Sequence, residues 1–170
     1  MLTGQTDLRD DWAGFKDVVR RQHPVIGAVG EGPSVRADAL WTMLRARVPE
    51  VWYLTGHSLG GAVAMDVALL AMAENRAPAF MMTFAAPLCL GIVASGRLGA
   101  TPGIDFARRG DPVPYLPEWD WMMRPRPLTM LGDWVFLPEL EYHSMAGYRV
   151  IADSWLASAT QTQLEGVQEP

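Results

Sequence analysis

Apolar residues gather along this chain in short blocks whose period changes from one block to the next. "VWYLTG" (Val51 to Gly56) is a β-branched and aromatic run bounded by Pro49 and Gly56, which predicts a buried strand. "LGGAVAMDVALLAMAEN" (Leu59 to Asn75) is rich in Ala, Leu and Met and predicts a mostly buried helix. Ahead of them, "SVRADALWTMLRARVP" (Ser34 to Pro49) predicts a helix with Ser34 as N-cap. Val35, Ala39, Met43 and Leu44 share its apolar face, and Pro49 stops it. "AFMMTFAAP" (Ala79 to Pro87) reads as a second strand and "GIDFARRGDP" (Gly103 to Pro112) as a weaker third that breaks at Gly110. Between Pro112 and Pro138 the prolines stand too close for a helix, so this stretch reads as a long excursion packed by aromatics. "HSMAGYRVIADSWLASA" predicts a C-terminal helix, and the polar tail 159–170 is expected to fray.

The order helix, strand, helix, strand, strand calls for parallel pairing through crossovers, hence α/β architecture. A length of 170 residues favours a single domain, 1–170, with room for a sizeable core. With 49% hydrophobic and 19% charged residues the composition is that of a globular chain. The net charge of −5 and the lack of any Lys/Arg cluster argue against a nucleic-acid partner. Cys89 is the only cysteine and has apolar neighbours, so neither an intrachain disulfide nor a multi-cysteine metal site is expected. "MLTGQTDLRDDW" has no basic stretch followed by an apolar core, and Asp66 interrupts the longest apolar run. These features predict neither a signal peptide nor membrane insertion, and a cytoplasmic location.

The junction of the first strand and the second helix carries the chemistry. "GHSLGG" matches G-x-S-x-G on Gly56, Ser58 and Gly60, between a predicted strand and a predicted helix. Glycines suit a strained strand-to-helix turn that lifts Ser58 above the sheet, while the helix starting at Leu59 points free N–H groups at a developing oxyanion. The plainer reading is a Gly-rich turn with Ser58 as N-cap.

A serine nucleophile needs a base, and there are three histidines. His57 precedes Ser58 on a tight turn, where neighbouring side chains point apart. His23 lies upstream of the sheet that carries the serine. In this architecture the order is Ser, then Asp or Glu, then His, which leaves His143; otherwise His143 caps a helix. The acid is then sought between them. Asp105 falls within a strand, whereas Asp111 follows it at an Asp-Pro turn, either as the acid or as an ordinary turn residue. Asp120 and Asp133 lie in the excursion, and Asp66 sits on the helix behind the serine.

"TGHSLGGAVA", "TFAAP", "DPVPYLP" and a later "H…GY" stand in the order found in the class 3 lipase family of α/β-hydrolases, which the chain resembles from about Gly4 to Tyr148. "GEGPSVRADALW" is similar to the family's segment before the nucleophile strand, with Gly32-Pro33 in place of Gly-Phe. The resemblance implies an α/β-hydrolase-like, mostly parallel sheet flanked by helices and lacking the N-terminal strands. It implies Ser58, Asp111 and His143 as the triad and the Leu59 backbone N–H as one oxyanion donor. The second donor stands in the family in an F-R-G-T/S segment. "LTGQTDLRDDW" resembles the end of that segment, making Gln5 or Thr6 the candidate.

The expected function is serine carboxylic-ester hydrolysis through an acyl-enzyme, on an acylglycerol or other lipid-like ester, with no metal or organic cofactor. Trp134, Phe136 and "PEWDWMMRP" are candidates to line an acyl pocket or to fill core. Two alternatives stand beside it: a weak or inactive hydrolase-like domain that binds a lipid or protein partner, and acyl transfer to an acceptor other than water.

Overall fold

A computed structural model describes residues 19–116, 120–132 and 140–154. Strands β3 (Tyr53–His57), β4 (Phe80–Phe84), β6 (Gly103–Arg108) and β8 (Leu128–Leu131) form a parallel sheet in that order. A second, antiparallel sheet runs β1 (Arg20–His23), β2 (Gly27–Gly30), β5 (Leu90–Gly91), β7 (Met122–Met123). The helices are α1 (Glu31–Leu44), α2 (Leu59–Ala73), α3 (Ile92–Gly99) and α4 (145–154). Register aligns the carboxyl ends of three parallel strands: His57 pairs with Phe84, and Phe84 with Phe106. Loops leaving those ends are therefore neighbours, as open α/β sheets require of a site.

Helix α2 is buried all round, from Gly60 to Ala71. It packs with Trp41, Trp52, Met81, Leu90 and Leu98 on one face of the sheet. The other face holds Phe84, Phe106, Leu131 and Tyr148, with Met82, Ile104, Met145 and Ile151 against them. Met81 and Met82 go to opposite sides, as strand alternation demands. The result is three layers, helix on sheet on helix.

Two expectations are corrected. Helix α1 begins at Glu31, with Gly30 as N-cap. Ser34 is no cap but a buried residue inside the helix, donating to the Glu31 carbonyl (3.1 Å) and accepting from Arg21 (3.0 Å). Its buried face is Pro33, Ser34, Ala37 and Trp41, while Val35 and Met43 are exposed. The excursion after Pro112 is not free of regular structure, because β7 and β8 lie within it. Its prolines stand outside those two strands, so both ladders keep their N–H donors.

Asp66 is fully buried on α2, and neither carboxylate oxygen has a hydrogen-bond partner. Burial, then the negative charge of Asp38, push its carboxyl well above the usual range, so it sits there neutral. An unmade buried hydrogen bond costs about 1–3 kcal/mol, which α2 carries within an otherwise apolar interface.

Candidate active site

Strand β3 ends at His57, and Ser58 follows with φ 55° and ψ −133°, a left-handed conformation that costs a serine on the order of 1–3 kcal/mol. Neighbours hold it there. The Ser58 N–H donates to the Phe84 carbonyl (2.9 Å), and its own carbonyl accepts from Gly61 (2.8 Å) and Ala62 (3.3 Å). A Cβ at Gly56 would fall on the Gly60 carbonyl, and one at Gly61 would lie 2.7 Å from the Ala86 Cβ. The turn's steric demand for glycine thus includes Gly61, beside the motif's spaced positions. Leu59 opens α2, so its N–H is among the first-turn donors without an intrahelical acceptor.

His143 ends a 3₁₀ turn, Leu140–His143, and α4 follows. Its Nε2 lies 2.6 Å from Ser58 Oγ and its Nδ1 2.9 Å from Asp111 Oδ2. Asp111 follows β6 after Gly110, whose φ of 88° turns the chain at the strand's end. Asp111 Oδ1 accepts from the Val113 N–H (2.9 Å), folding the Asp-Pro turn onto itself. Oδ2 accepts from His143 and from the Tyr148 hydroxyl (2.8 Å), which in turn accepts from the Arg108 N–H (2.6 Å). With Nδ1–H given to a carboxylate, Nε2 is left as an acceptor for the serine hydroxyl. Ser58, Asp111, His143 and Tyr148 are all buried. Burial, then the Asp111 charge, push the Tyr148 phenol far above its ordinary value, so it acts as a donor.

His57 belongs to the same cluster. Its Nε2 lies 2.8 Å from the His143 carbonyl, which only accepts, so Nε2 carries the proton. Its ring lies 4.9 Å from the His143 ring and 5.7 Å from the Tyr148 ring, centroid to centroid. Burial, followed by the neighbouring His143, lowers its pKa to about 4, so it is neutral at physiological pH.

The remaining candidates go elsewhere. His23 Nε2 faces Asp38 Oδ1 (2.9 Å), and Nδ1 accepts from Val25 (3.1 Å) and Ile26 (3.3 Å), so both nitrogens are occupied far along the chain from Ser58. Asp105 lies buried within β6, bonded to Thr83 (2.7 Å) and Arg126 (3.2 Å). Asp120 and Trp121 line a cavity of about 350 Å³ together with Arg20, Ile92, Val93 and Met123, and the Arg20 guanidinium stands 5.6 Å over the Trp121 ring. Gln5, Thr6, Asp133, Trp134, Phe136 and the tail 159–170 lie outside the described residues. Among the described residues no group of three or more His, Cys, Asp or Glu is placed to hold a metal, and no helix is long and apolar enough to cross a membrane.

Sequence reasoning gave Tyr148 no role and set His57 aside. Tyr148 carries a signal in its spacing: it stands five residues after His143, on the first turn of the helix that follows, the place from which a hydroxyl can turn back toward the turn. His57 carries none. Its side chain does point away from Ser58 Oγ, but its target is a main-chain carbonyl 86 residues away.

Comparison with known proteins places this geometry in a fold. The thioesterase domain family matches residues 35–94, about a third of the chain. No curated protein matches it by sequence. Among solved structures, the Rhizomucor miehei lipase in complex with its propeptide aligns with a TM-score of 0.64 at 21% identity, covering 76% of this chain and 47% of that one. A Yarrowia lipolytica lipase aligns at 0.62 and 18%, covering 81% and 59%. A triacylglycerol lipase described as having a serine protease triad as its catalytic centre aligns at 0.62 and 20%, covering 76% and 55%. The chain thus spans about half the length of the lipases it matches. The likeness agrees with the resemblance read from the motifs, and it identifies the fold of this chain as the α/β-hydrolase fold that these lipases share.

Proposed function

We propose that this protein is a serine hydrolase of acyl esters, acting through an acyl-enzyme on Ser58. The observation that carries this reading is the 2.6 Å approach of Ser58 Oγ to His143 Nε2 with Asp111 behind the imidazole at 2.9 Å. In the forward step Ser58 Oγ attacks the acyl carbonyl while His143 Nε2 takes its proton. Asp111 then faces an imidazolium, whose Nδ1–H it already accepts. The imidazolium returns the proton to the leaving alcohol, and water, deprotonated by His143, releases the acid. The Leu59 N–H at the start of α2 and a donor from Gln5 or Thr6 are the proposed oxyanion partners.

The substrate class proposed is a lipid-like oxygen ester such as an acylglycerol, because three lipases share the fold. The thioesterase match adds acyl thioesters as a second class to be compared directly. The test is hydrolysis of p-nitrophenyl esters over a range of acyl lengths, beside the matching acyl thioesters, with Ser58→Ala as control. Turnover of either series that vanishes in Ser58→Ala is expected. Folded wild-type protein inert toward both would overturn the reading and leave a hydrolase-like binding domain.

A further inference from the structure

Beyond the three residues of the proposed triad, and resting on that reading, we propose that His57 is a positioning residue, holding the His143 main chain so that one imidazole meets both Ser58 and Asp111. His57 and Ser58 are consecutive, one ending β3 and the other forming the turn. His143 arrives from a 3₁₀ turn in a distant part of the chain, and the described residues on either side of it are short. Two imidazole bonds fix its ring, one to each carboxyl-end loop, but a ring can rotate only about a Cα that is itself held. The His57 Nε2–H bond to the His143 carbonyl supplies that hold at 2.8 Å. The carbonyl is in a buried setting, where an unpaired oxygen would otherwise draw in water beside the nucleophile. Serine and base are thus tied to the same strand end twice, through Ser58 Oγ and through the residue before it.

A second feature suits His57 to this place. When His143 takes the serine proton it becomes a cation, 4.9 Å from the His57 ring. The groups facing His57 are His143, Asp111 and Tyr148. With its one proton committed to the carbonyl, His57 donates without adding charge; a lysine or arginine there would oppose the imidazolium. The glutamine side chain carries an N–H at comparable reach and is likewise neutral.

The experiment compares His57→Leu and His57→Gln with wild type. His57→Leu is expected to lower kcat for ester hydrolysis about 10- to 100-fold, because small misplacement of a catalytic group is costly, with KM within about twofold. His57→Gln is expected to recover to within about threefold of wild type. A loss confined to KM, or a glutamine variant no better than leucine, would overturn the assignment. Imidazole ¹⁵N NMR of the wild type reads the same bond without turnover. It should show His57 neutral with its proton on Nε2 at pH 6; a charged ring, or a proton on Nδ1, would overturn it whether or not the leucine variant folds. If wild type hydrolyses esters and His57→Leu matches it, this inference falls and the hydrolase reading stands. If wild type hydrolyses nothing, the hydrolase reading falls and the imidazole tautomer alone decides whether His57 holds His143.

Discussion

His143→Gln is expected to lower kcat for ester hydrolysis by on the order of 10⁵-fold, with little change in KM. Glutamine is close in size and can still accept a hydrogen bond from Ser58, but it cannot carry the serine proton through the reaction. Asp111 would lose the Nδ1–H it now accepts and keep those from Val113 and Tyr148, so the loop should remain folded. Adding Ser58→Ala to this variant should cost little more, since members of such a unit fail together. His23→Gln should retain activity within about twofold, because its nitrogens are spent on Asp38, Val25 and Ile26. The reverse pattern, loss with His23 and retention with His143, would contradict the role given to each. Steady-state kinetics on one p-nitrophenyl ester reads all four proteins.

Gly56→Ala should be among the most damaging methyl groups that can be added to this chain. The new Cβ would fall on the Gly60 backbone carbonyl, and no flexible side chain can yield there. Relief requires moving either β3 or the first turn of α2, and α2 is buried from Gly60 to Ala71. A loss of roughly 3 kcal/mol or more in urea unfolding is expected, in the range of overpacking and backbone strain combined. Any protein that does fold should react slowly at Ser58, because the elbow that holds its φ of 55° has shifted. Gly96→Ala is the matching control. Nothing lies within 4 Å of its Cβ position, and it sits inside helix α3, where alanine outranks glycine by about 1 kcal/mol. That variant should be as stable as wild type or more so. Equal, small effects at both positions would contradict the strained-elbow account.

These residues also mark how far the sequence could be read. The parallel sheet was legible because "VWYLTG", "AFMMTFAAP" and "GIDFARRGDP" are compact apolar runs with turn residues at their ends, and they become β3, β4 and β6 within a few residues. The antiparallel sheet was not. Leu90–Gly91 and Met122–Met123 are two-residue strands, too short for any period, and they exist because the chain brings them together. The face of α1 was misread for a physical reason. Ser34 looks like a cap, but Arg21 and the Glu31 carbonyl satisfy its hydroxyl, and that lets a polar residue lie inward while Val35 and Met43 face water. In the candidate site, residue type and chain order singled out Ser58, Asp111 and His143, which the structure brings within hydrogen-bonding distance. The contributions of His57 and Tyr148 depend on a carbonyl and on a carboxylate oxygen reached across the fold, and no local pattern encodes either.

The geometry also separates two kinds of polar burial. Asp111 accepts three hydrogen bonds and orients a neighbour, whereas Asp66 accepts none and is held neutral. Both are buried acids on elements next to the serine, and only the first has the partners that chemistry at Ser58 needs.

The central claim is that Ser58 is an activated nucleophile. Its most direct measurement is reaction with a fluorophosphonate probe, followed by mass spectrometry of the labelled peptide. The account predicts one adduct per chain, on Ser58, absent from Ser58→Ala and greatly slowed in His143→Gln. Folded wild-type protein that takes no label, or label that persists in Ser58→Ala, would contradict it.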